Sequence, residues 1–110
     1  MTIQDLIHQN LDILLKKQSE KPEGLHMKQA IKIGAYVAAG VLRSRYKEEK
    51  KILPEEIEGV YGIVGNFYAD SFKSFSQEDF DNLKTHSLGL LQMPTFDDDL
   101  NSFINSIVEA

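Results

Sequence analysis

The side chains of this sequence that could carry out chemistry are three histidines and a run of three aspartates. His8, His26 and His86 lie far apart, and none belongs to a metal-ligand pattern such as HExxH. The acids Asp97–Asp99 follow Thr95 within one turn, where a helix start favours negative charge. They lack the alternate spacing and the glycine of a calcium-binding loop. We therefore predict no metal site and assign the aspartates to a helix start.

Other catalytic motifs are missing from the sequence. The 110 residues include no cysteine, which excludes a disulfide, a thiolate zinc site and a thiol nucleophile. No GxSxG motif occurs. The segment GIVGNF has neither the third glycine of a dinucleotide fingerprint nor the lysine of a P-loop. The sequence thus predicts a protein that is not an enzyme, with no cofactor and no evident small-molecule substrate.

A basic stretch, RSRYKEEKK over residues 43–51, is the candidate for binding an anionic partner. Its cations and its tyrosine are Arg43, Arg45, Tyr46, Lys47, Lys50 and Lys51. The tyrosine could stack on a base of single-stranded nucleic acid. However, two glutamates interrupt the stretch, and the whole chain carries a net charge of -5, unlike most nucleic-acid-binding domains. The stretch is therefore either a solvated helix end or an interaction surface.

Aromatic residues are concentrated in one part of the chain. Six of the ten lie between Tyr61 and Phe80. Neighbours on a helix point about 100° apart, so the six cannot all face one small core. We expect one or two of them to be exposed or to line a groove at an interface. The candidates for this interaction role are Phe67, Tyr68, Phe72 and Phe75.

Helical periodicity places these residues on five segments. The first begins at Thr2, with Asp5 completing a capping box, and ends near Lys17. Its predicted apolar stripe is formed by positions 3, 7, 11 and 14. The second is predicted from about Pro22 or Glu23 to about residue 51, which makes it the longest.

Proline and capping residues mark the other segments. Pro54 starts the third helix, Ser76 caps the fourth, Pro94 ends the fourth and Thr95 caps the fifth. No stretch alternates apolar and polar residues for long enough to predict a strand. The predicted fold is an all-α compact bundle of four to five helices with a long central second helix, in a single helical domain over residues 1–110.

Small residues inside the second helix raise a question of packing, because each helix-interior glycine costs about 1 kcal/mol relative to alanine. Gly34 and Ala38 are four residues apart and share a face, within the segment GAYVAAGVL. The third helix has Gly62, Gly65 and Ala69 on one face. We expect the second and third helices to cross at these small faces, with a homodimer seam as the alternative.

The charges divide along the chain. Residues 1–51 carry ten Lys/Arg and six Asp/Glu, whereas residues 52–110 carry two and eleven. Part of this difference should cancel within the fold, leaving a basic end on the second helix.

The leading functional hypothesis is non-catalytic protein–protein interaction, by a small helical adaptor, inhibitor, immunity-type or assembly protein of bacterial or phage type. The partner would be another protein or a second copy in a homodimer. The alternative is a subunit of a nucleoprotein complex that contacts the nucleic-acid backbone through the basic end. The longest apolar run, Ile33 to Leu42, is too short for a membrane span, and we expect a cytoplasmic protein without membrane contact.

Overall fold

Five helices and no strand make up the part of the chain that the computed structural model describes, residues 2–108. The helices are α1 (Ile3–Ser19), α2 (Met27–Glu49), α3 (Pro54–Ser71), α4 (Gln77–Leu91) and α5 (Phe96–Val108). This confirms the predicted all-α bundle. The Cα radius of gyration is 13.3 Å, close to the value of about 13 Å for a folded chain of this length.

Local sequence signals explain where most of the helices begin. Thr2 and Asp5 form the predicted capping box at α1, and Ser76 and Asp79 form a second one at α4. Pro54 occupies the first turn of α3, where its missing N–H costs nothing. In the fifth helix the Thr95 hydroxyl donates to an Asp99 carboxylate oxygen at 2.8 Å.

The predicted start of α2 near Pro22 is wrong. Gly24 has a φ of +73°, a left-handed conformation that interrupts a helix, and its N–H donates to the Lys21 carbonyl in a turn. The helix begins at Met27 instead, with His26 as an N-cap that makes no side-chain capping bond. At the other end, Lys50 adopts a left-handed conformation with a φ of 63° and terminates the helix.

Helix α2 is central, since it packs against α1, α3 and most extensively α4. A continuous buried segment of α2, residues 33–39, forms the middle of the core. Helix α5 packs against α1. No helix among residues 2–108 has the length and apolar character needed to cross a bilayer.

The predicted crossing of the small faces of α2 and α3 is wrong. A Cβ added to Gly34 would lie 2.7 Å from Leu83 Cδ1 on α4 and 2.9 Å from the Tyr68 hydroxyl on α3. Gly34 therefore receives large side chains from two helices. On α3, Gly62 faces open space, and a Cβ added to Gly65 would lie 2.8 Å from Cε1 of the Phe80 ring on α4. Periodicity grouped the small residues correctly but did not identify the neighbours of each face.

Candidate functional site

An apolar groove of about 270 Å³ lies where α1, α2 and α5 meet. Most of its lining is aliphatic, with polar atoms from one asparagine, one serine and one tyrosine. The lining residues are Leu6, Asn10, Leu14, Tyr36, Val37, Gly40, Val41, Ser44, Leu100 and Ile104. Three elements distant in sequence build this surface, so sequence periodicity could not reveal it.

A glycine on α2 gives the groove part of its depth. A Cβ on Gly40 would have Leu100 Cδ2 as its nearest neighbour, at 3.5 Å, which is an ordinary van der Waals distance. Packing therefore does not require a glycine here, and a longer side chain would project into the groove. The glycine keeps this position open at a cost in helix propensity of about 1 kcal/mol.

Acidic residues from the second half of the chain pair with much of the basic end. Asp97 at the start of α5 lies 3.1 Å from Lys47 Nζ and 3.8 Å from Arg43 Nε. Arg45 pairs with Glu56 of α3 at 3.3 Å and with Glu48 at 3.8 Å. These contacts agree with the expected partial cancellation of charge within the fold.

Two cations of the basic end, Lys50 and Lys51, are not among these ion pairs. Lys50 and Lys51 are exposed, and within residues 2–108 neither has a carboxylate within 4.0 Å. Tyr46 is exposed beside them. Lys47 lies one turn beyond Ser44 on α2, so the groove leads toward this positive region.

Of the aromatic residues predicted to contact a partner, Tyr68 lies in the core instead. Its side chain is fully buried, and its hydroxyl donates to the Ala30 carbonyl. Burial raises the pKa of this hydroxyl, and a smaller contribution from the backbone of Gly34 acts in the opposite direction. Tyr68 is a core residue that fits the space left by Gly34, and it offers no surface to a partner.

Phe67, Phe72 and Phe75 are half-buried around Tyr68. Phe67 contacts the His8 ring at a centroid distance of 5.1 Å, while Phe72 and Phe75 lie 5.4 and 5.3 Å from the Tyr68 ring. Phe75 also lines a shallow groove between α3 and α4. These three residues remain candidates, but most of their surface is used within the fold.

The three histidines lie on different elements, His8 on α1, His26 at the N-cap of α2 and His86 on α4. His86 on α4 contacts the Tyr36 ring edge-on, with 6.2 Å between ring centroids. Partial burial, with a smaller contribution from the Lys32 charge, lowers the pKa of His86. Across residues 2–108 no group of three or more His, Cys, Asp or Glu side chains is placed to hold a metal ion.

Two buried hydroxyl groups were not identified from the sequence. Tyr61 on α3 and Ser87 on α4 are almost completely buried, and their hydroxyls are neighbours that form no hydrogen bond of good geometry within the described part of the chain. Burial raises the pKa of Tyr61, and the nearby Ser87 hydroxyl partly offsets this shift. Ser87 lies on the buried face of α4, four residues after Leu83, which is the signal that could have identified it.

Comparison of the chain with models of protein families, with curated proteins and with solved structures gives no match in any of the three.

Proposed function

We propose that this is a non-catalytic protein-binding domain, of the adaptor, inhibitor, immunity or assembly type, which binds a partner helix in the groove between α1, α2 and α5. The supporting observation is the apolar lining of this groove, which Gly40 leaves open although packing tolerates a larger side chain. Helix-in-groove recognition requires such a surface, because partner side chains spaced three and four residues apart bury themselves between helices.

The partner should be acidic on the side that faces the end of α2. Beyond Ser44, Lys47 of α2 already pairs with Asp97, whereas Lys50 and Lys51 follow with no acid paired to them in the described chain. Exposed ion pairs contribute only about 0–1 kcal/mol each. Three buried apolar side chains would contribute about 5–9 kcal/mol before the cost of association. Affinity should therefore come from the groove, and orientation and on-rate from the lysines.

The ion pairs of the basic end favour a protein partner over nucleic acid. Arg43, Arg45 and Lys47 already contact carboxylates within the fold. A nucleic-acid backbone would have to compete with these acids for each phosphate contact. The nucleoprotein hypothesis therefore has less support than the protein-binding one.

The test uses two designed helical peptides with leucines along one face, one carrying glutamates and the other lysines on the opposite face. Fluorescence anisotropy should detect binding of both peptides, with the lysine peptide weaker by up to about tenfold, chiefly because its on-rate is lower. Gly40→Leu should fill the groove and weaken binding by about tenfold or more. The matched control is Gly62→Leu on α3, where a side chain meets open space.

Equal binding of both peptides, or equal effects of the two glycine substitutions, would refute the proposal. Titration with single- and double-stranded nucleic acid tests the alternative, which predicts binding that falls steeply with salt.

A further inference from the structure

The two helices that flank α2 along the groove are packed into the core to different extents. Helix α1 buries four apolar side chains spread between Ile7 and Leu15. Its first residue, Ile3, is 38% exposed, so the prediction that position 3 belongs to the buried stripe is wrong. Helix α5 buries two side chains, Phe96 and Ile107, which lie near its opposite ends. Helix α5 is therefore the less firmly packed wall of the groove.

The middle of α5 lies beside the groove and is held by few contacts. Leu100 and Ile104 line the groove and are half-buried. Between them in sequence, the ring of Phe103 stacks on Tyr36 of α2 with 4.2 Å between the centroids. Segments that bury few apolar side chains open locally at the lowest free energy, so α5 should open more readily than α2. With 13 residues, α5 is too short to keep its helical hydrogen bonds once it leaves the core.

Ion pairs with α2 hold the start of α5 in place. The Asp97 carboxylate lies 3.1 Å from Lys47 Nζ and 3.8 Å from Arg43 Nε. At the other end of the helix, Lys21 Nζ donates to the Ser106 carbonyl at 2.5 Å. Arg43 and Lys47 belong to the basic end, which faces the acidic side of the proposed partner. A glutamate of the partner helix would therefore compete with Asp97 for the same two cations.

The groove between the closed walls is small for the apolar face of a helix. Its volume is about 270 Å³, whereas pockets that hold small organic molecules have about 300–1,000 Å³. A helix with its side chains is about 10–12 Å across. Large side chains of a partner helix reach the α2 floor at Val37 and Gly40 more easily when the walls separate, and α5 is the wall with fewer buried side chains.

We propose that α5 is a movable wall that regulates access to the groove, and that the ion pairs of Asp97 keep it closed. An acidic partner helix opens the groove by taking Arg43 and Lys47 from Asp97. A helix without acids gains no such help, and its affinity is lowered by the fraction of time that the groove is closed. This inference rests on the proposed function, to which it adds the means of regulation.

Hydrogen exchange of the free protein tests the opening of α5 without any peptide. Asp97→Asn removes the charge that pairs with the two cations of α2. Asp98→Asn is the matched control, because Asp98 lies in the same first turn, is exposed and has no cation within 4.0 Å among residues 2–108.

In the wild type, the amides of α5 from Leu100 onward should exchange faster than those of the buried segment of α2. Asp97→Asn should accelerate their exchange about three- to tenfold, and Asp98→Asn should leave it unchanged. Exchange of α5 as slow as that of α2, or equal acceleration by both substitutions, would overturn the proposal.

Fluorescence anisotropy with the glutamate peptide tests the regulation of binding. Asp97→Asn should bind this peptide about three- to tenfold more tightly than the wild type, because α5 opens more often and both cations are free. Asp98→Asn should bind it as the wild type does. Equal affinity of Asp97→Asn and the wild type, while α5 exchanges faster, would show that the closed groove binds the peptide and would overturn this inference alone. Absence of peptide binding in every variant would instead refute the proposed function, and the regulation with it.

Discussion

Substituting alanine at two helix-interior glycines should change stability in opposite directions. At Gly34 the new methyl group would lie 2.7 Å from Leu83 Cδ1 and 2.9 Å from the Tyr68 hydroxyl. Both neighbours are fully buried, and the Ala30 carbonyl holds the Tyr68 hydroxyl in place. At Gly62 the same methyl group meets nothing within 4 Å.

Both variants gain helix propensity, but only Gly34→Ala also creates a steric clash. Replacing glycine by alanine in a helix interior stabilises the protein by about 1 kcal/mol, at both sites. Overpacking at Gly34 costs about 1–3 kcal/mol. Gly62→Ala should therefore gain about 1 kcal/mol, and Gly34→Ala should lose between about 0 and 2 kcal/mol. The difference in unfolding free energy between the two variants therefore measures the cost of the steric clash at Gly34.

Urea unfolding followed by circular dichroism at the helix band measures this gap as a difference in the free energy of unfolding. Thermal unfolding gives a second value, at about 4 °C per kcal/mol for a chain of this size. If Gly34→Ala proved as stable as Gly62→Ala, the packing of Tyr68 and Leu83 against α2 described above would be incorrect.

Three further outcomes test other parts of the structure. Ser87→Ala should change the free energy of unfolding by no more than about 1 kcal/mol in either direction, because the Ser87 hydroxyl lies beside the Tyr61 hydroxyl but makes no hydrogen bond of good geometry within residues 2–108; a loss well above about 1 kcal/mol in urea unfolding would show that the two hydroxyls are bonded. Partial desolvation lowers the pKa of His86 in the folded state, so its contribution is complete above about pH 6.5 and is lost as the pH falls below that value; because the residue is exposed this contribution is small, and His86→Gln should slightly flatten this part of the stability–pH curve, whereas a steeper curve would contradict the direction of the shift. Elemental analysis of protein purified without a metal-affinity tag should find no stoichiometric zinc, iron or manganese; a near-equimolar metal would overturn the interpretation of the histidines.

Local features of the fold could be predicted from the sequence, because each depends on residues close in the chain. The capping boxes at Thr2 and Ser76 and the proline start at residue 54 need only a few neighbouring side chains. The start of α2 was missed because Pro22 suits a first helical turn equally well. Only the left-handed conformation of Gly24 excludes a helix there.

Tertiary neighbours could not be predicted in the same way. Periodicity places Gly34 on a small face of α2, but it does not show that Tyr68 and Leu83 fill the space. The aromatic excess indicated crowding without showing that Tyr68 would be the buried member. The groove is formed by α1, α2 and α5, and the sequence does not show that these three helices pack side by side.

The most direct test of the groove as a binding site is an NMR titration of the ¹⁵N-labelled protein with the glutamate peptide. Binding in the groove should shift the backbone amides of Gly40, Ser44 and Leu100 and leave Gly62 on α3 unchanged. The same peptide should shift few amides of the Gly40→Leu variant. Shifts centred on α3 and α4, or none at peptide concentrations of about 1 mM, would contradict the proposal that this groove binds a partner helix.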